Sequence, residues 1–290
     1  MTPKTIVAFL IINKLDRLPE IAIKSVLATT DSDLAIGYLK EADLPDIASN
    51  DRIRLVKLDP AQDLSEIFGI HGSQYLSFSS DDFFKLVQLK WVLFETLFSL
   101  GIDYVIYSDS DVVWVRNPIP ELIARFESDE GVHFQIQNFT TKPNTPQLCM
   151  GFVAMRNSEL SKEFVLECKA YHANALDIAP RTGDDDVVTA LYAEKKRPRF
   201  LVELPQSTFP TGNMINLYNK KMDFPGLSSP TPYIFHANFV VGLRNKLKLI
   251  QLFGSSQQGN SLGVSLTLST KLQFILLRLK LWVYLLKSRS

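Results

Sequence analysis

Gly101-Ile102-Asp103-Tyr104-Val105-Ile106-Tyr107-Ser108-Asp109-Ser110-Asp111 brings a helix stop, an apolar strand and a pair of carboxylates together in eleven residues. Upstream, Phe83 to Leu100 has the spacing of a helix, and Gly101 supplies the residue type that ends one. Asp103 to Tyr107 reads as a strand because it is β-branched and aromatic and contains no proline. The strand runs out on Asp109 and Asp111. Ligands of open α/β sheets gather beyond the carboxyl ends of strands, so the acid pair falls where chemistry is expected.

Working outward, the rest of the first two-thirds alternates short apolar runs with amphipathic stretches. Strands are expected at Thr5–Ile12, Asp33–Leu39 and Ile53–Leu58, and a helix at Leu18–Ala28 with Pro19 in its first turn. Further strands are expected at Val132–Gln137, Phe152–Met155 and Tyr233–Phe235, the last ending on His236, with a helix from Ser161 to about Ala175. Such alternation predicts a mostly parallel α/β sheet flanked by helices, in a single domain over 1–253. Residues 254–270 open on Gly-Ser-Ser-Gln-Gln-Gly-Asn and read as a linker. Residues 271–290 mix apolar positions with Lys271, Arg278, Lys280, Lys287 and Arg289. They are expected to form a basic amphipathic helix on an anionic membrane surface; packing on the domain or on a partner subunit is the alternative.

Composition narrows the function classes. Lysine plus arginine equals aspartate plus glutamate at 31 each, so no global field attracts nucleic acid, and none is expected as a partner. Cys149 and Cys168 lack metal-knuckle spacing and read as two reduced thiols, with a 149–168 disulfide left open. The N-terminal apolar run is too short to span a bilayer and no small-residue cleavage site follows it. The expectation is a chain that begins with its fold, in the cytoplasm.

Two carboxylates at i and i+2 beyond a buried strand face one crevice. A hard divalent cation suits such oxygens, and it would in turn bind phosphate. The bare tripeptide is equally a solvated loop with two surface acids. Asp184-Asp185-Asp186 is equally a helix N-terminus charged to suit the dipole.

The longer stretch 100–120, with Trp114-Val115-Arg116-Asn117-Pro118 after the acid pair, resembles the DxD core of nucleotide-diphospho-sugar transferases of GT-A fold, a Rossmann-like architecture. It is most similar to the group related to plant rhamnogalacturonan xylosyltransferases and arabinosyltransferases. Cys149-Met150-Gly151-Phe152-Val153-Ala154-Met155-Arg156 is similar to that family's glycine-bearing strand. Gly183-Asp184-Asp185-Asp186 resembles its Asp-Gln helix start, with Asp186 where the family has glutamine. Phe209-Pro210-Thr211-Gly212 and His236-Ala237-Asn238 through Gly242 to Lys246 follow in family order.

The resemblance implies a glycosyltransferase that moves a sugar from a nucleoside diphosphate, UDP by expectation, to a glycan or glycolipid with retention of configuration. It implies Asp109, Asp111 and His236 as ligands of Mn2+ or Mg2+, with Asp109 also shared with the ribose. Lys90, Gly242 and Lys246 would contact the donor, and Asp185, Asp186 and Gly151 would lie at the reacting sugar. Helical periodicity alone places Lys90 on the surface. Two other readings compete. One is a haloacid-dehalogenase-type phosphatase with Asp109 as nucleophile. The other is a catalytically silent sugar-binding protein at a membrane surface.

Overall fold

The computed structural model describes residues 3–12, 17–58, 81–128, 131–137, 147–179, 181–194, 201–211, 232–238, 246–247 and 250. The proposed linker and amphipathic C-terminal segment lie outside them, as does Gly242.

Strand β1 (Thr5–Ile11) is apolar at nearly every position because both of its faces are covered. Ile6, Ala8 and Leu10 belong to one buried cluster, and Val7, Phe9 and Ile11 to the other. The first cluster lies under helices α2 (Asp81–Val87), α3 (Leu89–Ser99), α5 (Glu159–Ile178) and α6 (Asp184–Glu194). The second lies under α1 (Leu18–Thr29) and α4 (Ile119–Ser128). Among the described residues one sheet of seven strands separates them, in the order β3-β2-β1-β4-β7-β6-β8. Its other members are β2 (Asp33–Tyr38), β3 (Ile53–Lys57), β4 (Tyr104–Ser108), β6 (Val132–Gln137), β7 (Gln147–Arg156) and β8 (Leu201–Glu203).

Strands β3, β2, β1 and β4 run parallel. Strand β7 is antiparallel to both β4 and β6, and β8 is parallel to β6. The chain leaves β1 toward β2 on one side, while β4 joins on the other, so a switch in strand order falls between β1 and β4. The acid pair leaves the sheet there. A separate ribbon of β5 (Val112–Trp114) and β9 (Ile234–His236) crosses this end, with Val112 opposite His236.

Several boundaries differ from the sequence reading. The helix expected over 83–100 is two segments, tightened where Trp91 N–H bonds Gln88 O at 3.0 Å. Gly101 does end it, at φ 69°, and the Asn157 amide donates to the late carbonyls of Phe98 and Ile102 at 3.1 and 2.8 Å. Helix α5 starts two residues early because Ser158 caps it, accepting from Ser161 N–H at 3.2 Å. Helix α4 was not anticipated. Asn117 initiates it by accepting from Ile119 N–H at 3.0 Å, with Pro120 in the first turn. Cys149 and Cys168 are both buried and not disulfide-bonded, so the disulfide alternative is closed.

A buried imidazole ties α3 and α5 to the turn that precedes α6. Trp91 Nε1–H donates to His172 Nδ1 at 3.0 Å, and His172 Nε2–H donates to Thr182 O at 3.0 Å. The first contact needs the neutral ring, because only an unprotonated Nδ1 can accept. Burial pushes its pKa below the ordinary 6.5, against the pull of Asp184, the Thr182 carbonyl and Asp186; Lys90 adds to the lowering. The unfolded chain therefore takes up this proton first, and stability falls as pH drops below about 6.5. In His172→Gln that contribution is absent. The gap in melting temperature between wild type and variant should narrow from pH 7.5 to 5.5, as scanning calorimetry can measure.

Candidate active site

The site is built where β7 parts from β6. Phe134 pairs with Val153, but Gln135 pairs with Cys149, so Met150, Gly151 and Phe152 lie between two registers. Bulges of this kind re-aim side chains and release backbone groups. Gly151 O accepts from Asp109 N–H at 2.8 Å, which extends the β4–β7 ladder to the acid pair. The Met150 N–H goes instead to Asp185 Oδ1 at 2.6 Å, and Met150 O accepts from Lys90 Nζ at 3.4 Å. Charged residues thus satisfy the peptide groups that the sheet gives up.

Asp109 O accepts from Val112 N–H at 3.1 Å, closing a turn that delivers the chain into β5. Trp114 braces this turn from below. Its indole N–H reaches Ser108 Oγ at 3.3 Å, its ring packs edge-on to Phe152, and its own peptide N–H donates to Ser25 Oγ at 2.9 Å. The ribbon then sets His236 beside the pair. Asp111 Oδ1 is 3.1 Å from His236 Nε2, and Asp111 O accepts from Ala237 N–H at 2.9 Å.

Asp109, Asp111 and His236 each offer one ligand atom, and these atoms lie within 4.8 Å of one another. Two carboxylate oxygens and an imidazole nitrogen suit a divalent cation such as Mn2+ or Mg2+. Lys246 Nζ pairs with Asp111 Oδ2 at 2.5 Å. Burial would raise the Asp111 pKa, but Lys246 and His236 together hold it below the usual carboxylate range. Burial would likewise lower His236, and the Asp111 charge with Cys149 outweighs it, lifting the imidazole well above 6.5.

Lys90 is not on the surface; it is 5% exposed. Its ammonium lies 3.2 Å from Asp109, 2.6 Å from Asp184, and 4.7 Å from the centroid of the Tyr107 ring. Burial alone would discharge it, but the two carboxylates raise its pKa far above the ordinary value. Tyr107 is held protonated by burial and by the Asp109 charge, and donates to Asp109 Oδ1 at 2.8 Å. Helical periodicity misplaced Lys90 because a buried cation with two acid partners looks, in sequence, like any solvated one. Replacing it with methionine leaves Asp109 and Asp184 without their shared cation, which should cost about 3–5 kcal/mol of stability. Urea unfolding of Lys90→Met measures this, and Lys90→Met with Asp184→Asn should recover part of the loss.

The acidic helix start is divided in its duties. Asp184 is buried against Lys90, Asp185 holds Met150 N–H, and the exposed Asp186 accepts from Gly183 N–H at 3.0 Å through Oδ2, in the manner of a capping box. Asp184 was not singled out from sequence, where three consecutive acids are indistinguishable. Gln135, which touches His236, was missed for a similar reason: a glutamine in an apolar strand carries no motif. The space that Gly151 leaves open is taken by the His236 ring, since a Cβ there would lie 2.1 Å from its Cε1.

A switch-point acid pair with an imidazole beside it, on a sheet whose longest strand runs antiparallel next to β4, defines a glycosyltransferase of GT-A fold. The sequence profile of nucleotide-diphospho-sugar transferases matches residues 47–250, and the chain belongs to that family. No curated protein sequence matches the chain. Among solved structures it is similar to the galactosyltransferase LgtC in complex with donor and acceptor sugar analogs. That likeness has TM-score 0.55 and 13% identity, over 85% of this chain and 95% of that one. Similar too are the glycosyltransferase GlyE of Streptococcus pneumoniae (TM-score 0.54, 16% identity, 88% and 61% covered) and mouse xyloside xylosyltransferase 1 (0.50, 15%, 81% and 98%). At such identities the likeness is one of fold. The chain is a glycosyltransferase by family, which sets aside the phosphatase reading.

Proposed function

We propose that the protein transfers a hexosyl or pentosyl group from a UDP-sugar to a glycan or glycolipid acceptor, with retention, using Mn2+ or Mg2+. The observation that carries this reading is the convergence of Asp109, Asp111 and His236 at the carboxyl end of β4. The donor set fits the ion, because two carboxylate oxygens and an imidazole nitrogen lie within 4.8 Å of one another. When bound, a divalent cation supplies positive charge to the departing diphosphate.

The chain's own groups would do the rest. Asp109 and Asp111 would hold the ion with His236 Nε2. Lys246 would exchange the Asp111 carboxylate for phosphate oxygens, with Gly242 close to the same phosphates. Lys90 would hold Asp109 in place, and Asp185 and Asp186 with Gly151 would border the reacting sugar. Retention is supported by the engagement of all three acids at 184–186 with Lys90, Met150 N–H and Gly183 N–H. An inverting reaction would need a carboxylate turned to the acceptor hydroxyl.

Among the described residues no helix is long and apolar enough to cross a membrane. Contact with an anionic membrane through 271–290 is part of the proposal. Thermal-shift measurements against nucleoside diphosphates test the core of it. UDP with Mn2+ should stabilise the protein more than either alone. If no nucleoside diphosphate stabilises it in a metal-dependent way, the reading fails.

A further inference from the structure

We propose that Gln135 is a positioning residue that sets the tautomer of His236, so that Nε2 faces the acid pair. The proposal rests on the metal-site reading above but concerns a residue which that reading does not use.

Gln135 is fully buried, so each polar atom of its amide must be matched inside the protein. One end of the amide lies 3.3 Å from Phe209 O and 3.2 Å from Pro210 O. Both are peptide carbonyls, which only accept. The amide nitrogen must therefore be at that end, because a flipped amide would set Oε1 against two sets of lone pairs. Oε1 is left at the other end, 3.0 Å from His236 Nδ1. A carbonyl oxygen cannot donate, so the proton in this contact belongs to Nδ1.

The other nitrogen, Nε2, is thereby directed to Asp111 Oδ1 at 3.1 Å. Cys149 Sγ, 3.6 Å from Nδ1, is the weaker partner, and it accepts from Asn238 Nδ2 at 3.7 Å. The missing Cβ of Gly151 lets the ring occupy this position. The segment that orients the amide also supports β9 directly: Thr208 O accepts from Tyr233 N–H at 2.8 Å, and Thr211 bridges to His236. Two backbone carbonyls at 209–210 thus determine, through one neutral amide, which imidazole nitrogen the acids see. Partners of this kind orient ligating imidazoles and raise metal affinity.

The tautomer can be read in the unmodified protein by 15N NMR of histidine-labelled material, with His236→Gln identifying the signal. At pH 7, in the Mg2+-saturated protein, His236 Nδ1 will carry a proton and Nε2 will not. A bare Nδ1 with a protonated Nε2 overturns the proposal. Separately, Gln135→Met should weaken Mn2+ binding, followed by electron paramagnetic resonance without nucleotide, by about 10–100-fold. A Gln135→Met protein that melts earlier but binds Mn2+ like wild type also overturns it. Should that variant not fold, the tautomer of the wild-type protein decides. Asp111→Ala separates the two readings: undiminished Mn2+ binding there removes the metal site itself. Loss there with unchanged binding in Gln135→Met leaves the site standing and removes the role of Gln135.

Discussion

Asp111→Ala will lower kcat/KM for sugar transfer by at least about 10²–10³-fold, the scale at which loss of one electrostatic contact to a developing charge is felt. It will also abolish the Mn2+-dependent part of the thermal shift with UDP. The fold should survive. Of the two cations left behind, His236 can release its proton once Asp111 no longer raises its pKa, and the Lys246 side chain is already 29% exposed. Lys90→Met is different, because there the stranded groups are two acids that meet at a single buried cation. The test is steady-state kinetics beside urea unfolding on the same preparations. Wild-type kcat/KM in Asp111→Ala would end the proposed role of the pair.

The second large effect is expected from the smallest change, Gly151→Ala. The new methyl would sit 2.1 Å from His236 Cε1, and within 2.9 Å of both ring nitrogens. The ring has no easy retreat, since Gln135 holds Nδ1 and Asp111 holds Nε2. Ordinary overpacking costs about 1–3 kcal/mol. A clash with a ring held at both ends belongs at the upper end of that range, a fall of roughly 5 °C in melting temperature for a chain of this size. Activity should drop to the level of His236→Ala. The double variant Gly151→Ala with His236→Ala should melt higher than Gly151→Ala alone, because removing the imidazole makes room for the methyl. A Gly151→Ala protein with wild-type melting and activity would falsify this account of the glycine.

Much of this protein was legible along the chain. The apolar strand 104–108, its acid pair and the helix stop at Gly101 were plain because local hydrophobic period and turn chemistry report on local structure. The doubly covered β1 announced a sheet buried on both faces. His236 was recognisable as a candidate from the residues around it. Tertiary structure alone decided how these parts meet. Strand pairing across 123 intervening positions puts Val112 opposite His236, and nothing in the period of either segment encodes that register. The register shift of β7 against β6, at Phe134 and Gln135, sends Met150 N–H to Asp185. It also aligns the buried Gln135 with the imidazole. Lys90 became an interior cation only because the fold supplied Asp109 and Asp184 to meet it. Periodicity tells which face a residue occupies, whereas charges are accepted inside a protein according to their partners, and those partners come from distant segments.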